Sequence, residues 1–267
     1  MRTGEAAPTS VRLPEDDSVI PPEAAAFGDH VAATLADVVG ADLVGVYFVG
    51  SLVLGGYVPG ESDIDIVAVT GSGLSPQQKR AVASAIVAAS AACPARGLEF
   101  TLYRRGVVRS AAEGADFEVN TGAGPRMPEA VHVDATVEPG FWYVLDRAVA
   151  HRSGRAISGP PAPVVFAAVP RHTVLTAMTE SMEWHRAHEG ATLYSVLNAC
   201  RAWRFAGDDV LGSKLEGAAW ARSRWPDTGV IDAAVALRRG DDASLDPSRV
   251  DALLSHTLTQ LREAATG

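Results

Sequence analysis

The spacing of apolar residues divides the chain into two parts of different character. In the first part, apolar runs and alternation indicate strands, and apolar stripes at helical spacing indicate helices between them. The predicted elements are a helix from about Pro22, strands at 43–50 and 63–70 around a glycine-rich segment at 51–62, a helix at 75–93 capped by Ser75, a strand at 98–105, strand-rich segments at 117–124 and 131–137, and a helix at 141–154. This pattern is typical of a mixed α/β domain.

The second part is predicted to be helical throughout. Residues 158–170 are rich in proline and form a predicted linker. Helices are then predicted at 171–188, 192–206, 213–224, 229–239 and 247–264. The sequence therefore predicts an α+β fold, with a mixed-sheet domain at 21–160 followed by a helical bundle domain at 161–267. Residues 1–20, rich in Pro, Ser, Thr and acidic residues, are predicted to form a flexible arm.

Composition and charge narrow the class of protein. With 267 residues, 47% of them hydrophobic and 21% charged, the chain can bury a substantial core. Cys93 and Cys200 have neither close pairing nor metal-ligand spacing, so reduced thiols are expected. No apolar run reaches the roughly 18 residues of a membrane span, and no secretory signal begins the chain, so a cytoplasmic protein without membrane contact is expected. The net charge of −9 argues against nucleic-acid binding.

Two acidic residues open the second predicted strand. Side chains alternate between the faces of a strand, so Asp63 and Asp65 share one face. Adjacent carboxylates repel each other unless a cation joins them. Mg²⁺ prefers oxygen ligands and usually binds one or two carboxylates together with substrate phosphates. The pair is therefore a candidate magnesium site, although an isolated D-x-D is more often structural or a solvated strand edge.

A glycine and a serine end the preceding strand. Gly50 lets the backbone approach a phosphate closely, and Ser51 adds a hydroxyl and free backbone N–H groups. The joint pattern is an apolar strand, Gly-Ser, about ten residues that end in Ser62, Asp63 and Asp65 (S-D-x-D), and a second apolar strand. This pattern resembles the signature of the nucleotidyltransferase superfamily. The resemblance implies that these residues hold a nucleoside triphosphate and two Mg²⁺ ions.

That superfamily uses a third acidic residue on a neighbouring strand, and Glu99 fits this position. Alternation along the predicted strand puts Leu98 and Phe100 on one face and Glu99 on the other. In a two-metal transfer the third carboxylate either completes a metal shell or takes the proton from the attacking hydroxyl. A surface glutamate on a strand is the structural alternative.

Over residues 25–265, the chain resembles the aminoglycoside (3'')(9)-adenylyltransferases, the streptomycin and spectinomycin resistance enzymes with an appended helical domain. The resemblance rests on VGSLVLGGYVPGESDID (49–65), LEFTLY (98–103), the segment at 141–161 and the segment at 197–226. It implies ATP as co-substrate, Glu99 as the base, Arg201 and Lys214 as contacts of ATP, and Asp146 as the acid near the domain junction.

The residues themselves support two of these positions. Lys214 follows Gly212 and Ser213 at a predicted helix N-terminus, where its ammonium group, a hydroxyl and free N–H groups can meet a phosphate. Arg201 lies among apolar neighbours on a predicted helix, so its charge is expected to face a cleft. The structural alternatives are a surface lysine and an arginine held in a salt bridge.

The helix before residue 190 carries the candidates for acceptor binding. Glu183, Trp184 and Glu189 could bind a cationic sugar by stacking and charge pairing, although they do not fall cleanly on the family's positions. The alternative is an amphipathic helix with a solvated acidic face. The H-x-x-H-E order of residues 185–189 differs from the HExxH order of zinc hydrolases, so a zinc site is not expected.

The sequence therefore predicts an enzyme that transfers an adenylyl group from Mg·ATP to a hydroxyl of an aminoglycoside or aminocyclitol, as a monomer or weak dimer. Two alternatives stay open: the same chemistry on another acceptor (a protein side chain, a tRNA end or a metabolite), or a non-catalytic, antitoxin-like nucleotide-binding module. The net charge of −9 argues against a tRNA acceptor. A pure binding module has no need of a base such as Glu99, which argues against the second alternative.

Overall fold

A computed structural model describes residues 19–110 and 113–266 of the chain. The predicted arm at 1–20 therefore lies almost wholly outside the described residues. The strands are β1 (Leu43–Phe48), β2 (Ile64–Thr70), β3 (Leu98–Arg104), β4 (Val119–Gly124), β5 (Met127–His132) and β6 (Arg155–Ser158). They form one mixed sheet in the order β5-β4-β3-β2-β1-β6, in which β2 and β3 are parallel and the other neighbours are antiparallel.

Helices flank the sheet and then continue alone to the end of the described chain. Those interleaved with the strands are α1 (Pro22–Val39), α2 (Gly50–Val53), α3 (Pro76–Ser90), α4 (Arg105–Val108), α5 (Gly140–Ser153) and α6 (Ala162–Val165). Those that follow are α7 (Arg171–Trp184), a π-helical turn (His185–Glu189), α8 (Leu193–Asp208), α9 (Lys214–Arg222), α10 (Thr228–Arg238) and α11 (Pro247–Thr266). The predicted α+β fold is confirmed.

Three local predictions differ from the structure. The segment at 131–137 is not a strand beyond His132, because Ala135–Val137 forms a 3₁₀ turn whose N-cap, Asp134, accepts a hydrogen bond from the Thr136 N–H. The predicted linker at 158–170 contains the short helix α6, and residues 155–158 at its start form the edge strand β6, which was not predicted. The helix predicted at 171–188 changes to a π-helical turn at His185.

The alternation of side chains along β2 determines which residues reach the site. Ile64, Ile66 and Ala68 are buried in the core that lies under α1 and α3. Val67 and Val69 point to the opposite face, where they pack in a second core with residues of α5 and α6. Asp65 shares the face of Val67, so its carboxylate lies on the side of the sheet that α5 covers.

Helix α5 belongs to two cores. Tyr143 and Ala150 pack in the core on the sheet, whereas Val144 and Ala148 pack in the core of the helical part. The helical core continues through α7, α8, α10 and α11, with Phe205 and Leu253 fully buried in it. The division of the chain at about residue 160 stays a prediction, since α5 before that point already contacts the helices after it.

None of the helices in the described residues is long and apolar enough to span a membrane.

Replacing Phe100 by alanine tests the core of the sheet. Phe100 lies at the centre of β3 and is completely buried, at 0% exposure. The substitution leaves a cavity, and we expect the free energy of unfolding to fall by about 3–5 kcal/mol in urea denaturation. Val131→Ala, on the edge strand β5 with 43% exposure, is the control and should change it by less than about 0.5 kcal/mol. Equal losses in the two variants would contradict the assigned core.

Candidate active site

The site begins where β1, β2 and β3 come together at one end of the sheet. Asp65 on β2 and Glu99 on β3 are direct register partners, because these two strands are parallel and in phase. The two carboxyl groups therefore lie next to each other at this end of the sheet. Alternation predicted the side of β3 on which Glu99 lies, whereas its place beside the aspartates was predicted from the superfamily resemblance.

A glycine with left-handed backbone conformation, Gly50, places the turn after β1 against the Asp65 carboxylate. Gly50 has φ +59°, a conformation that favours glycine, and a Cβ added there would overlap the Asp65 carboxylate. The turn places the backbone N–H of Ser51 3.4 Å from Oδ2 of Asp65. The hydroxyl of Ser51 is buried and has no hydrogen-bond partner in the described part of the chain, so a donor or acceptor on a ligand can engage it.

The carboxylates of the site raise one another's pKa. The recessed position of Asp65 and the neighbouring carboxylates, above all Glu99, raise the pKa of Asp65 well above its usual value. Burial and the charge of Asp63 likewise raise the pKa of Glu99. Burial, followed by repulsion from Glu99, raises the pKa of Asp146 on α5 to about 7. Such a cluster retains protons near neutral pH unless a cation replaces them.

Asp63 is held differently from the other acids. The Arg96 guanidinium donates two hydrogen bonds to it, from Nε to Oδ1 at 2.6 Å and from Nη2 to Oδ2 at 2.8 Å. This bidentate pair fixes the carboxylate at the edge of the site. A carboxylate has about four lone-pair sites, so Asp63 keeps acceptor positions for a metal ion that Arg96 does not occupy.

The helical part of the chain supplies the opposing charges. Arg201 on α8 lies close enough to Asp146 to lower its pKa, and Lys214 does the same for Glu99. Ser213 caps α9 in a capping box with Glu216, which makes Lys214 the first residue of that helix. Burial, followed by repulsion from Arg201, lowers the pKa of Lys214 to about 8. The Lys214 Nζ also lies 5.0 Å from the centre of the Tyr194 ring.

These groups line one cavity of about 410 Å³ between the sheet and the helices. The predicted site residues that line it are Gly50, Ser51, Ser62, Asp63, Asp65, Glu99, Asp146, Glu189, Arg201 and Lys214. The structure thus brings together residues that lie as far apart in the sequence as Gly50 and Lys214.

Two predicted acceptor-binding residues lie elsewhere. Glu183 is exposed on the outer side of α7 and pairs with Arg262 at 2.8 Å. Trp184 does not line the cavity, but its ring packs edge-on against Trp142, with ring centres 5.4 Å apart. Trp142, on α5, takes the aromatic position at the cavity wall.

Other cavity residues were not predicted from the sequence. They include Arg96, Trp142, His185, Tyr194, Asn198 and Arg238. Arg238 at the end of α10 donates from Nη2 to the carbonyl oxygen of Gly56 at 3.2 Å, so it ties the helical part to the loop that precedes Asp63. A basic residue three positions before Glu99 could have indicated Arg96 as the counter-charge of the acids, whereas Arg238 lies 182 residues from its partner and gives no local signal.

The donor set fits a magnesium ion better than a softer metal. Asp65 and Glu99 are register partners on adjacent strands and offer carboxylate oxygens, the ligands that Mg²⁺ prefers. In the described residues no three His, Cys, Asp or Glu side chains already converge on a metal position. Complete coordination therefore requires oxygen atoms from a substrate, as is usual for Mg²⁺ bound with phosphates.

Comparison with solved structures identifies the fold. A spectinomycin adenyltransferase, AAD(9) from Enterococcus faecialis, solved with ATP and spectinomycin, has a similar structure with a TM-score of 0.68. The two chains are 18% identical over 89% of this chain and 98% of that one. The mixed sheet with its appended helices therefore has the same fold as that protein. No curated protein matches the chain.

A family model matches the helical part. Residues 164–260 match the family described as aminoglycoside adenylyltransferase, C-terminal domain. The resemblance predicted from the sequence is confirmed over this part of the chain, and the fold agrees with that of the solved adenyltransferase.

Replacing Gly50 by alanine tests the turn that approaches Asp65. We expect Gly50→Ala to lower the melting temperature and to abolish nucleotide binding in calorimetry, because the new Cβ overlaps the carboxylate. Gly240→Ala is the matched control: Gly240 also has positive φ, at +81°, but nothing lies within 4 Å of an added Cβ. It should show only the backbone strain of about 1 kcal/mol and normal nucleotide binding. Similar binding defects in both variants would contradict the proposed contact.

Proposed function

We propose that this protein is an ATP- and Mg²⁺-dependent adenylyltransferase that modifies a hydroxyl of an aminoglycoside or aminocyclitol and releases pyrophosphate. One observation carries the proposal. Acids on the sheet, Asp65 and Glu99, face a lysine on the helical part, Lys214, across a single cavity. A polyanionic nucleotide and a hydroxyl-bearing acceptor can meet in such a cavity.

The nucleotide end of the cavity is proposed to lie around Ser51, Ser62 and Lys214. The hydroxyl of Ser51 lacks a partner in the described structure, and the ammonium of Lys214 is a point charge suited to phosphate. Arg201 opposes the negative charge of the same region. Asp63 and Asp65 would hold Mg²⁺ together with phosphate oxygens, and the ion would offset charge on the phosphates and favour attack at phosphorus.

Glu99 is proposed to take the proton of the attacking hydroxyl. Its raised pKa moves the carboxylate towards the operating pH, where a general base is most effective. The hydroxyl oxygen bonds to the α-phosphorus, the bond from that phosphorus to the bridging oxygen breaks, and pyrophosphate leaves in line. The proton passes to Glu99.

The wall opposite the sheet is proposed to receive the acceptor. It presents the Trp142 ring, the Tyr194 ring and the carboxylate of Glu189, which suits a cationic sugar better than a second anion. The solved relative was obtained with spectinomycin, which supports this class of acceptor. The net charge of −9 also favours cationic partners over nucleic acid. We further propose a cytoplasmic enzyme that acts as a monomer or weak dimer, with a sheet domain at 21–160 and a helical domain at 161–267.

Substrate screening tests the proposed activity directly. The purified protein is incubated with Mg·ATP and a panel that includes streptomycin and spectinomycin, and pyrophosphate release is measured for each compound. We expect release with at least one aminoglycoside or aminocyclitol, together with a mass increase of one adenylyl group on that compound. ATP binding without modification of any panel member would contradict the proposed acceptor.

Two variants with amide side chains separate the proposed role of Glu99 as a base from the proposed role of the aspartates as metal ligands. We expect Glu99→Gln to bind Mg·ATP within a few-fold of the wild type but to lose about 100-fold or more in turnover. Asp63→Asn combined with Asp65→Asn should instead lose the Mg²⁺ dependence of ATP binding in calorimetry. If Glu99→Gln keeps full turnover, the proposed base is wrong, and unchanged Mg²⁺ dependence in the double variant contradicts the metal site.

The pKa of Lys214 predicts proton uptake on nucleotide binding. Because burial lowers that pKa to about 8, the amine is mostly neutral at pH 8.5, and a nearby triphosphate favours the charged form. At pH 8.5 the wild type should therefore take up a fraction of a proton on binding Mg·ATP, measured by calorimetry in buffers of different ionisation enthalpy. At pH 6.5 the amine is already charged and contributes no uptake.

Lys214→Arg is the control for this measurement, since arginine stays charged across this pH range. The carboxylates contribute equally to proton uptake in the wild type and in Lys214→Arg. The difference in proton uptake between the two proteins at pH 8.5 therefore comes from residue 214. Equal uptake by the wild type and the variant would contradict a neutral Lys214 in the free protein.

A further inference from the structure

A π-helical turn at the end of α7 carries two side chains, four residues apart, that contact each other. The Gly190 N–H donates to the carbonyl oxygen of His185 at 3.0 Å, five residues back. Such turns are rare and are frequently found at functional sites. Here the turn places Nδ1 of His185 2.7 Å from Oε2 of Glu189.

This contact fixes the tautomer of His185. A carboxylate only accepts hydrogen bonds, so Nδ1 carries the proton and donates it to Glu189. The other ring nitrogen, Nε2, then has a free lone pair and accepts a hydrogen bond from Nδ2 of Asn198 at 2.9 Å. Burial lowers the pKa of His185, which keeps the ring neutral. The rings of Trp142 and Trp184 pack edge-on against the imidazole and hold its orientation.

The fixed tautomer determines which way the amide of Asn198 points. Because the amide nitrogen of Asn198 donates to His185, the amide oxygen points away from the imidazole ring. Asn198 is only 8% exposed, and its Oδ1 has no hydrogen-bond partner in the described residues. A buried acceptor without a partner is destabilising, and a native structure that retains one calls for an explanation.

The surroundings of Asn198 identify what could satisfy this oxygen. Asn198 lines the cavity together with His185, Glu189 and Trp142. A carboxylate and an aromatic ring attract a cation and repel a phosphate, so this wall suits the acceptor molecule rather than the triphosphate.

We propose that Asn198 is a specificity-determining residue for the acceptor: its Oδ1 accepts a hydrogen bond from a protonated amine or a hydroxyl of the bound aminoglycoside. Glu189 and His185 are positioning residues that keep this oxygen, and not the amide nitrogen, turned away from the ring. The site therefore rejects compounds that present an ether, carbonyl or phosphate oxygen at this point, because two acceptors would face each other. The inference depends on the proposed adenylyl transfer to an aminoglycoside.

Binding measurements on two variants test the proposal. For Asn198→Leu, which removes the acceptor at similar volume, we expect the Kd of spectinomycin or streptomycin to rise tenfold or more, with the Kd of Mg·ATP unchanged within twofold. Glu189→Gln should also weaken aminoglycoside binding, because its amide N–H can donate to Nδ1, which moves the ring proton to Nε2 and turns the Asn198 amide around.

A double-mutant cycle separates this relay from a direct contact of Glu189 with the ligand. If Glu189 acts only through Asn198, the double variant binds aminoglycoside as weakly as Asn198→Leu alone. The ¹⁵N shifts of the His185 ring report the tautomer independently: we expect Nδ1–H in the wild type and Nε2–H in Glu189→Gln. Thr173→Val, which removes a buried hydroxyl on α7 outside the cavity, is the control for general destabilisation and should bind both ligands normally.

Several results would overturn the inference. The first is an aminoglycoside Kd that does not change in Asn198→Leu. The second is a variant Asn198→Leu that loses affinity for Mg·ATP and not for the aminoglycoside. The third is a His185 ring that is protonated on Nε2, or on both nitrogens, in the wild type at neutral pH. A wild-type protein that binds ATP but no aminoglycoside would instead contradict the proposed function. The two failures are distinguishable, because the second is seen before any variant is made.

Discussion

The crowding of like charges at one end of the sheet is the constraint on which the site depends. Asp65 and Glu99 lie side by side, and Asp146 approaches them from α5, so each raises the pKa of the next. The cations that offset this repulsion, Arg201 and Lys214, come from helices far along the chain and are themselves destabilised by burial. Neither set of charges is stable in this position without the other. The charge balance of the site therefore exists only when the sheet and the later helices are packed together.

Much of the sheet side of the site is encoded locally and was predictable. Alternation along each strand separates Asp65 and Glu99 from their apolar neighbours, and the superfamily pattern predicted that the two acids lie near each other, as the strand register now shows. The glycine at position 50 indicated a tight turn beside them. The mixed sheet and the helices that follow it also agree with the periodicity of apolar residues. The four-residue strand β6 escaped prediction, because Arg155–Ser158 is too short to show alternation and forms a strand only by pairing with β1.

The helical side of the cavity was harder to predict, for a physical reason. Glu183 and Trp184 lie within α7 itself, where Glu183 faces solvent and pairs with Arg262. His185 and Glu189, in the π-helical turn that follows, line the cavity instead. Arg238 was missed because its partner, Gly56, lies 182 residues away, whereas the position of Arg96 close to Glu99 was a signal that the sequence reasoning did not use.

Helix α5 has a consequence for how such proteins can be recombined. Its residues are shared between the core under the sheet and the core of the helices, so the proline-rich segment after it is not a seam between independent modules. A chimera that joins the sheet of one relative to the helices of another at that segment would mismatch half of the packing surface of α5. If the two relatives are joined instead at the start of α5, near Pro139 and Gly140, α5 stays with the helices that it normally packs against. Only the face of α5 that lies against the sheet is then mismatched. A chimera would therefore inherit its acceptor preference partly from α5, although α5 precedes the helical part in the sequence.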